Sequence, residues 1–273
     1  LNILKNTKSK LIITSKKLKN LVPINKITLE VDNVLLSVAK ITEYFYPTSL
    51  NDNHETNLIS EQFKKKYKNI IFGNNVLIGK NVKIGNNTSI GHNTIIESNV
   101  IIGKNCEIGS NVILKKSIIG DYVKVLDGSI VGKKGFGFFP TTSKNIRYPH
   151  VGLVLIGNYV EIGCNNTIDR GSLSNTIIGD NTFLDNQVHV AHNVKIGRNC
   201  IIAGQVGFAG SSIIGNNVII GGQAGISGHL NIGDNVRIGG GSGVINDIPD
   251  NSRVMGYPAR DIKSFIKANK YEK

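Results

Sequence analysis

Asp185 to Asn193, read Asp-Asn-Gln-Val-His-Val-Ala-His-Asn, place a carboxylate, carboxamides and two imidazoles within nine consecutive residues. An imidazole titrates near ~6.5, so His189 or His192 could take and return a proton at neutral pH. Gly210 follows His192 by 18 residues and His229 follows it by 37. If 18 residues make one turn of a coil, His192, Gly210 and His229 fall along one edge. That grouping would supply a base, a backbone N–H that no side chain covers, and a second imidazole. The competing reading is a set of corner residues that face water. His54 and His92 lie in irregular or corner positions and take no role, and His150 enters only as the sixth histidine.

The elements that would position these residues follow from a period of six. Asparagine recurs at 75, 81, 87, 93, 99, 105 and 111, and an aliphatic follows three residues after each. From Ile178 through Leu184, Val190, Ile196, Ile202, Phe208, Ile214, Ile220, Ile226, Ile232, Ile238 and Val244 the period does not slip. Six residues advance an α-helix by about 1.67 turns, which smears any apolar face. A short strand plus a corner, repeated with the aliphatic inward, satisfies the spacing and predicts a stacked column as the core. Asn and Gly suit corners that need positive φ. Interruptions are predicted near 115–118, from Lys133 to Leu153 (with Gly135-Phe136-Gly137-Phe138), and from Arg170 to Thr176. Loops that leave a regular scaffold are favoured places for binding.

The ends do not keep the period. Lys10–Lys16 reads as a strand, and Val34–Phe45 as a helix with Leu35, Val38, Ile41 and Phe45 on one face. Residues 57–70 read as linker or degenerate repeats. Asp261–Lys270 reads as a basic helix with Ile262, Phe265 and Ile266 as its apolar side. The division expected is therefore 1–56, 57–258 and 259–273.

The formal charge of +13, partly in Lys64-Lys65-Lys66 and in Lys263, Lys267, Lys270 and Lys273, makes an acidic partner plausible. Interleaved aromatics are lacking, so nucleic acid has little support. Cys106, Cys164 and Cys200 have no metal spacing, and free thiols of a reducing cytosol are expected. No run approaches the ~18 apolar residues of a membrane span. The chain starts at Leu1 and its single methionine is Met255, so either a fragment or a missing natural start is expected.

Several motifs together are more selective than the repeat: GFGF at 135–138, TIDRGSL at 167–173, DNQVHVAHNVKIG at 185–197, AGS at 209–211 and SGHLNIG at 227–233. On these, over roughly residues 30 to 262, the chain resembles the bacterial UDP-3-O-(3-hydroxyacyl)glucosamine N-acyltransferase family of lipid A synthesis. The resemblance implies a mainly β fold, a left-handed parallel β-helix of hexapeptide repeats with three hexads per coil. It further implies a small, truncated N-terminal α/β domain, a short C-terminal helix and a cytoplasmic homotrimer with sites between subunits. It implies transfer of a (3R)-3-hydroxyacyl group from acyl carrier protein to the 2-amino group of a UDP-sugar. No cofactor is implied beyond the carrier's 4′-phosphopantetheine, and no metal. By position His192 matches the general base and Asp185 the carboxylate that orients it. Gly210 matches the oxyanion N–H and His229 a contact to acyl chain or phosphopantetheine, while Asn193 would line the sugar pocket. His189 stands where some relatives carry glutamine. The family's Phe-x-x-Asn-x-x-Tyr uridine element would fall just before Leu1.

Other readings fit less well. The sister O-acyltransferases usually carry aspartate after their histidine, where this chain has Asn193, and have a large helical C-terminal domain. The zinc-binding γ-type carbonic anhydrases space a close histidine pair by four, whereas His189 and His192 are three apart. A purely structural solenoid would show flat Thr rows and unbroken repeats.

Overall fold

In a computed structural model of the chain, residues 4, 6–60, 67, 69–140 and 144–269 are described. Lys64-Lys65-Lys66, Lys270, Lys273 and part of the expected 57–70 linker lie outside the described residues. The chain divides into two compact units: residues 1–51 with 137–149, and residues 52–136 with 150–273.

In the first unit, β1 (Leu11–Thr14) pairs in parallel with β2 (Ile27–Glu30), with Leu11 opposite Ile27. Helix α1 (Val34–Phe45) begins at Asn33, whose side chain accepts the Leu36 N–H at 2.9 Å as an N-cap. The expected apolar face of α1 is only partly right. Ala39 and Thr42 are the buried residues, whereas Leu35 and Phe45 are exposed. Thr42 turns its hydroxyl back on the Val38 carbonyl at 2.8 Å, which satisfies it within the helix. The unit also holds an antiparallel hairpin, Phe138–Pro140 with Asn145–Arg147, and the Arg147 guanidinium lies 4.5 Å from the centre of the Phe138 ring.

The second unit is the coil. Strands of mostly two residues stack in three parallel sheets, and each coil contributes one strand to each. Most coil steps are 18 residues, as between Asn217 and Asn235. The inward residues form one continuous core, with Ile96, Leu114, Val125, Val190 and Phe208 fully buried. Each such side chain contributes on the order of 1.5–3 kcal/mol. Corners carry asparagine at positive φ, and neighbouring coils join through amide ladders such as Asn181 to Asn199 at 3.0 Å. Asparagine tolerates this left-handed conformation better than other non-glycine residues.

The three predicted interruptions change the step while the stacking of inward residues persists, with one bulge between Val131 and Lys133. Around Lys116 the step shortens to 17 residues, as from Lys104 to Asp121. The excursion between 133 and 153 lengthens it to 37, as from Asp121 to Asn158. The excursion between 170 and 176 lengthens the next to 22, as from Cys164 to Asn186. The strand Ile130–Lys134 bulges at Gly132, with φ of 87°, where a Cβ would stand 1.6 Å from the Lys115 carbonyl oxygen. Only glycine fits there.

At the far end, helix α2 (Ile262–Asn269) is close to the expected span, and Asp261 accepts the Lys263 N–H at 3.0 Å. Ile266 is exposed, so the inward side is narrower than predicted. All three cysteines are free thiols. Among the described residues, no helix is long and apolar enough to cross a membrane.

Candidate active site

Most corners of the coil obey one rule. The backbone N–H at the second position after a strand is taken by a side chain from the next coil. Lys80 N–H thus meets Ser98 Oγ at 2.7 Å, Asn158 N–H meets Asp180 Oδ1 at 2.7 Å, and Arg198 N–H meets Asn216 Oδ1 at 3.1 Å. At His192 the next coil offers Gly210, and at Gly210 it offers Gly228, so no capping side chain exists. Among the described residues, neither the His192 nor the Gly210 N–H has an acceptor. The same holds at the corner of Asn186, Gly204 and Gly222, but only the His192 corner sets an open N–H beside an imidazole. A Cβ on Gly210 would stand 2.8 Å from His192 Nε2, so this glycine admits the ring.

The ring's tautomer follows from its neighbours. His192 Nδ1 lies 2.9 Å from Asn193 Oδ1. That amide oxygen also accepts the Ser172 hydroxyl at 2.8 Å and the Ser172 N–H at 3.1 Å, while Asn193 Nδ2 donates to Ser174 Oγ at 2.6 Å. With its oxygen so assigned, Asn193 requires a proton on Nδ1, which leaves the Nε2 lone pair free as the basic atom. The excursion between 170 and 176 thereby holds Asn193, and Asn193 holds His192.

Asp185, expected to orient this imidazole, lies apart from it among the described residues of the chain. It follows the strand Phe183–Leu184 in a different sheet from His189–Val190, one corner before His192, and its side chain has no hydrogen bond to the imidazole. Within the chain the partner of the imidazole is the amide of Asn193. Asn193, expected in a sugar pocket, has its amide committed to His192, Ser172 and Ser174. His229 is brought next to Gly210 as the spacing predicted, donating its N–H to the Gly210 carbonyl at 3.1 Å, but its side chain is exposed and outside the groove walls.

The second long excursion closes the ring's other side. His150 is buried with its ring 5.0 Å from that of His192, edge to face. Gly135 lies over both imidazoles, where a Cβ would be 2.8 Å from His192 Cβ and 3.1 Å from His150 Nε2. His189 projects outward from its strand into the same groove, its Nδ1 2.8 Å from Thr167 Oγ1. Its Nε2 is 4.0 Å from the Asp169 carboxylate. Burial lowers the His189 imidazole's affinity for a proton; a hydrogen bond that the imidazole donates to the Thr167 backbone raises it, and the charge of His192 lowers it further. Burial and then Asp52 push the Asp169 carboxyl up to about 7, with Lys133 opposing.

The groove holds about 840 Å³ and runs from Phe136, His189 and His192 across successive coils to Tyr257. Its floor is a column of outward glycines, Gly207, Gly225 and Gly243, in register on adjacent strands. Open space lies above the first two, while the Tyr257 ring covers Gly243, where a Cβ would come within 2.1 Å of it. Among the described residues no three His, Cys, Asp or Glu side chains converge to hold a metal.

Sequence reasoning missed His150, Gly135, Ser172, Ser174, Thr167 and Asp169. Each reaches the corner across an irregular step, so counting by 18 points elsewhere. Counting back by 22 from His189 reaches Thr167, and the length of the excursion was the available signal.

Comparison with known proteins gives the class first. A bacterial transferase hexapeptide model (six repeats) matches residues 175–210, and a GMPPB C-terminal domain model matches residues 68–136. UDP-N-acetylglucosamine acyltransferase from Campylobacter jejuni superimposes with a TM-score of 0.62 over 74% of this chain and 83% of that one, at 22% identity, a likeness of fold. The coil is a left-handed β-helix of hexapeptide repeats.

The sequence relatives are more particular. UDP-3-O-acylglucosamine N-acyltransferase 2 of Legionella pneumophila (strain Paris) is 44% identical over 162 residues, 59% of this chain and 47% of the relative. UDP-3-O-acylglucosamine N-acyltransferase of Dechloromonas aromatica (strain RCB) is 54% identical over 68 residues, 25% and 20% of the two chains. The chain is a homologue of these acyltransferases across the matched stretches. Those stretches span less than half the length of either relative.

Proposed function

We propose that the chain transfers a (3R)-3-hydroxyacyl group from the thioester of acyl carrier protein to the 2-amino group of UDP-3-O-(3-hydroxyacyl)glucosamine. The observation that carries this reading is His192 with Nδ1 held by Asn193 and Nε2 beside the open N–H of Gly210. In the reaction the amine nitrogen bonds to the thioester carbonyl carbon and His192 Nε2 removes the amine's proton. The carbonyl oxygen becomes an oxyanion, for which the Gly210 N–H is an uncommitted donor. Collapse breaks the C–S bond, and the proton held on Nε2 passes to the leaving sulfur, which restores the base.

The glycine-floored groove suits an alkyl chain laid along the coil axis, with Tyr257 as its far wall. The net charge of +13 favours an acidic carrier protein. The names of the relatives support the acceptor. A homotrimer in the cytoplasm belongs to the same proposal: the open groove and the separated Asp185 leave room for a neighbour's face to complete the site.

The test is incubation with 3-hydroxyacyl carrier protein and the acylated UDP-sugar, with the product identified by mass. An amide product that is lost in His192→Ala supports both reaction and base. Equal product from both chains removes His192 from its role. No product from a folded chain overturns the reaction.

A further inference from the structure

Asp169 is a buried carboxylate that the acyl-transfer steps above do not use. It lies on the strand Thr167–Arg170, which stacks directly on the strand carrying His189, with Thr167 opposite His189. Among the described residues its carboxylate has no hydrogen-bond donor, and its nearest imidazole atom is His189 Nε2, 4.0 Å away. Thr167 occupies the opposite nitrogen of that ring at 2.8 Å. A hydroxyl both donates and accepts, so Thr167 is compatible with either tautomer of His189.

We infer that Asp169 is a positioning residue acting through His189: carboxyl and imidazole hold one exchangeable proton between them, and its place sets the charge presented beside His192. With the proton on Nε2, the imidazole points N–H at an ionised carboxylate and, once Nδ1 is also protonated, becomes a cation stabilised by it. With the proton on Asp169, Nε2 keeps its lone pair and His189 is neutral. Burial favours neutrality for both groups, and the 4.0 Å contact brings the two sites of the proton together. Two imidazolium ions three residues apart repel, so a neutral His189 makes it easier for His192 to accept a proton.

The charges around the pair bias the place of this proton. Asp52 and Lys133 face Asp169 from the neighbouring segments and meet each other at 3.9 Å. Asp52 is also shared with Lys115, at 3.9 Å, which Glu97 holds at 2.7 Å. Arg170, the next residue, turns its Nε to the Gly152 carbonyl at 2.7 Å. On the groove side His189 feels the charge of His192 and pairs in register with the side-chain-free Gly207.

The inference rests on the proposed acyl transfer for its consequence, but its physical content is testable without substrate. Nuclear magnetic resonance of the full chain with labelled histidine would follow the His189 ring from about pH 5 to about pH 9, assigned with His189→Gln. Two inflections are expected in the wild type, with the one nearer neutrality absent in Asp169→Asn. One identical inflection in both proteins would overturn the shared proton.

In the transfer assay, Asp169→Asn should move the acidic limb of the kcat/KM profile to higher pH by about 0.5–1 unit, since a His189 that stays neutral no longer repels a proton from His192. Adding His189→Gln to that variant should change the limb no further. A full additional shift would sink the claim that Asp169 acts through His189. A chain inert toward both substrates would remove the proposed function and leave the titration to decide this inference.

Discussion

His92 and His192 occupy the same slot of the hexad, two residues after a strand, in the near-identical contexts Ser-Ile-Gly-His-Asn and His-Val-Ala-His-Asn. Their environments differ completely. His92 lies in an uninterrupted run of coils, where its Nδ1 accepts the Asn74 N–H at 2.9 Å and its own N–H is taken by Ser110. It is one more corner cap. His192 lies where two excursions re-enter the coil and where the next corner residue is glycine. Its Nδ1 is fixed by an amide, its own N–H is open, and its Nε2 faces a groove. The slot determines where a side chain emerges, whereas the breaks in the repeat determine what it can do.

The comparison breaks most sharply on activity. His192→Ala should reduce kcat by about 10²–10⁴-fold, the usual contribution of a positioned base, while His92→Asn leaves it unchanged. If the two variants lose activity alike, the corner slot itself and not its surroundings would be responsible. Gly210→Ala should follow, with a loss of about 10²–10³-fold, because the new methyl displaces the imidazole and crowds the open N–H. A circular dichroism spectrum like the wild type's would separate this from unfolding.

Asn193→Asp sharpens the contrast at smaller scale. A carboxylate retains the acceptor for Nδ1 but cannot donate to Ser174, so rate should fall by about tenfold, and the acidic limb of the pH profile should rise because the anion favours imidazolium. On stability, Asp169 sets a pH dependence. Its carboxyl is held at about 7 against an ordinary 3.8, so above pH ~4 the unfolded chain releases a proton that the folded chain retains. Stability therefore declines as pH rises to about 7 and then levels off. Asp169→Asn should remove that decline, a gain approaching the order of 4 kcal/mol at pH 8, read by denaturant unfolding at both pH values. His92→Ala, which removes one hydrogen-bonded cap, should cost only about 1 kcal/mol.

Much of the fold was legible because a period of six leaves few physical solutions. Asn at the corners and aliphatics inward follow from the spacing of Asn75 to Asn111 and of Ile178 to Val244; the step of 18, and with it the stacking of His192, Gly210 and His229, was what the resemblance implied. The His192 corner was legible as a place but not as a network. Asn193, Ser172 and Ser174 meet only because the chain inserts residues between coils, and the conformation of an excursion is not encoded in the period. The face of α1 was misread for a related reason: twelve residues with several apolar positions allow more than one inward stripe, and packing within its unit selects Ala39 and Thr42.

The persistence of stacking through steps of 17, 37 and 22 residues has a further consequence for descent. An excursion that departs and returns at adjacent coils adds chain without adding pitch, so the column beneath it does not have to be repacked. Descendant sequences could lengthen, trim or exchange such a segment while inheriting the scaffold intact, and stability and recognition could drift on separate schedules. The His192 corner is where that independence stops. With Gly135 and His150 from one excursion and Ser172 and Ser174 from the other all converging on His192 and Asn193, a change in either segment is felt at the same imidazole.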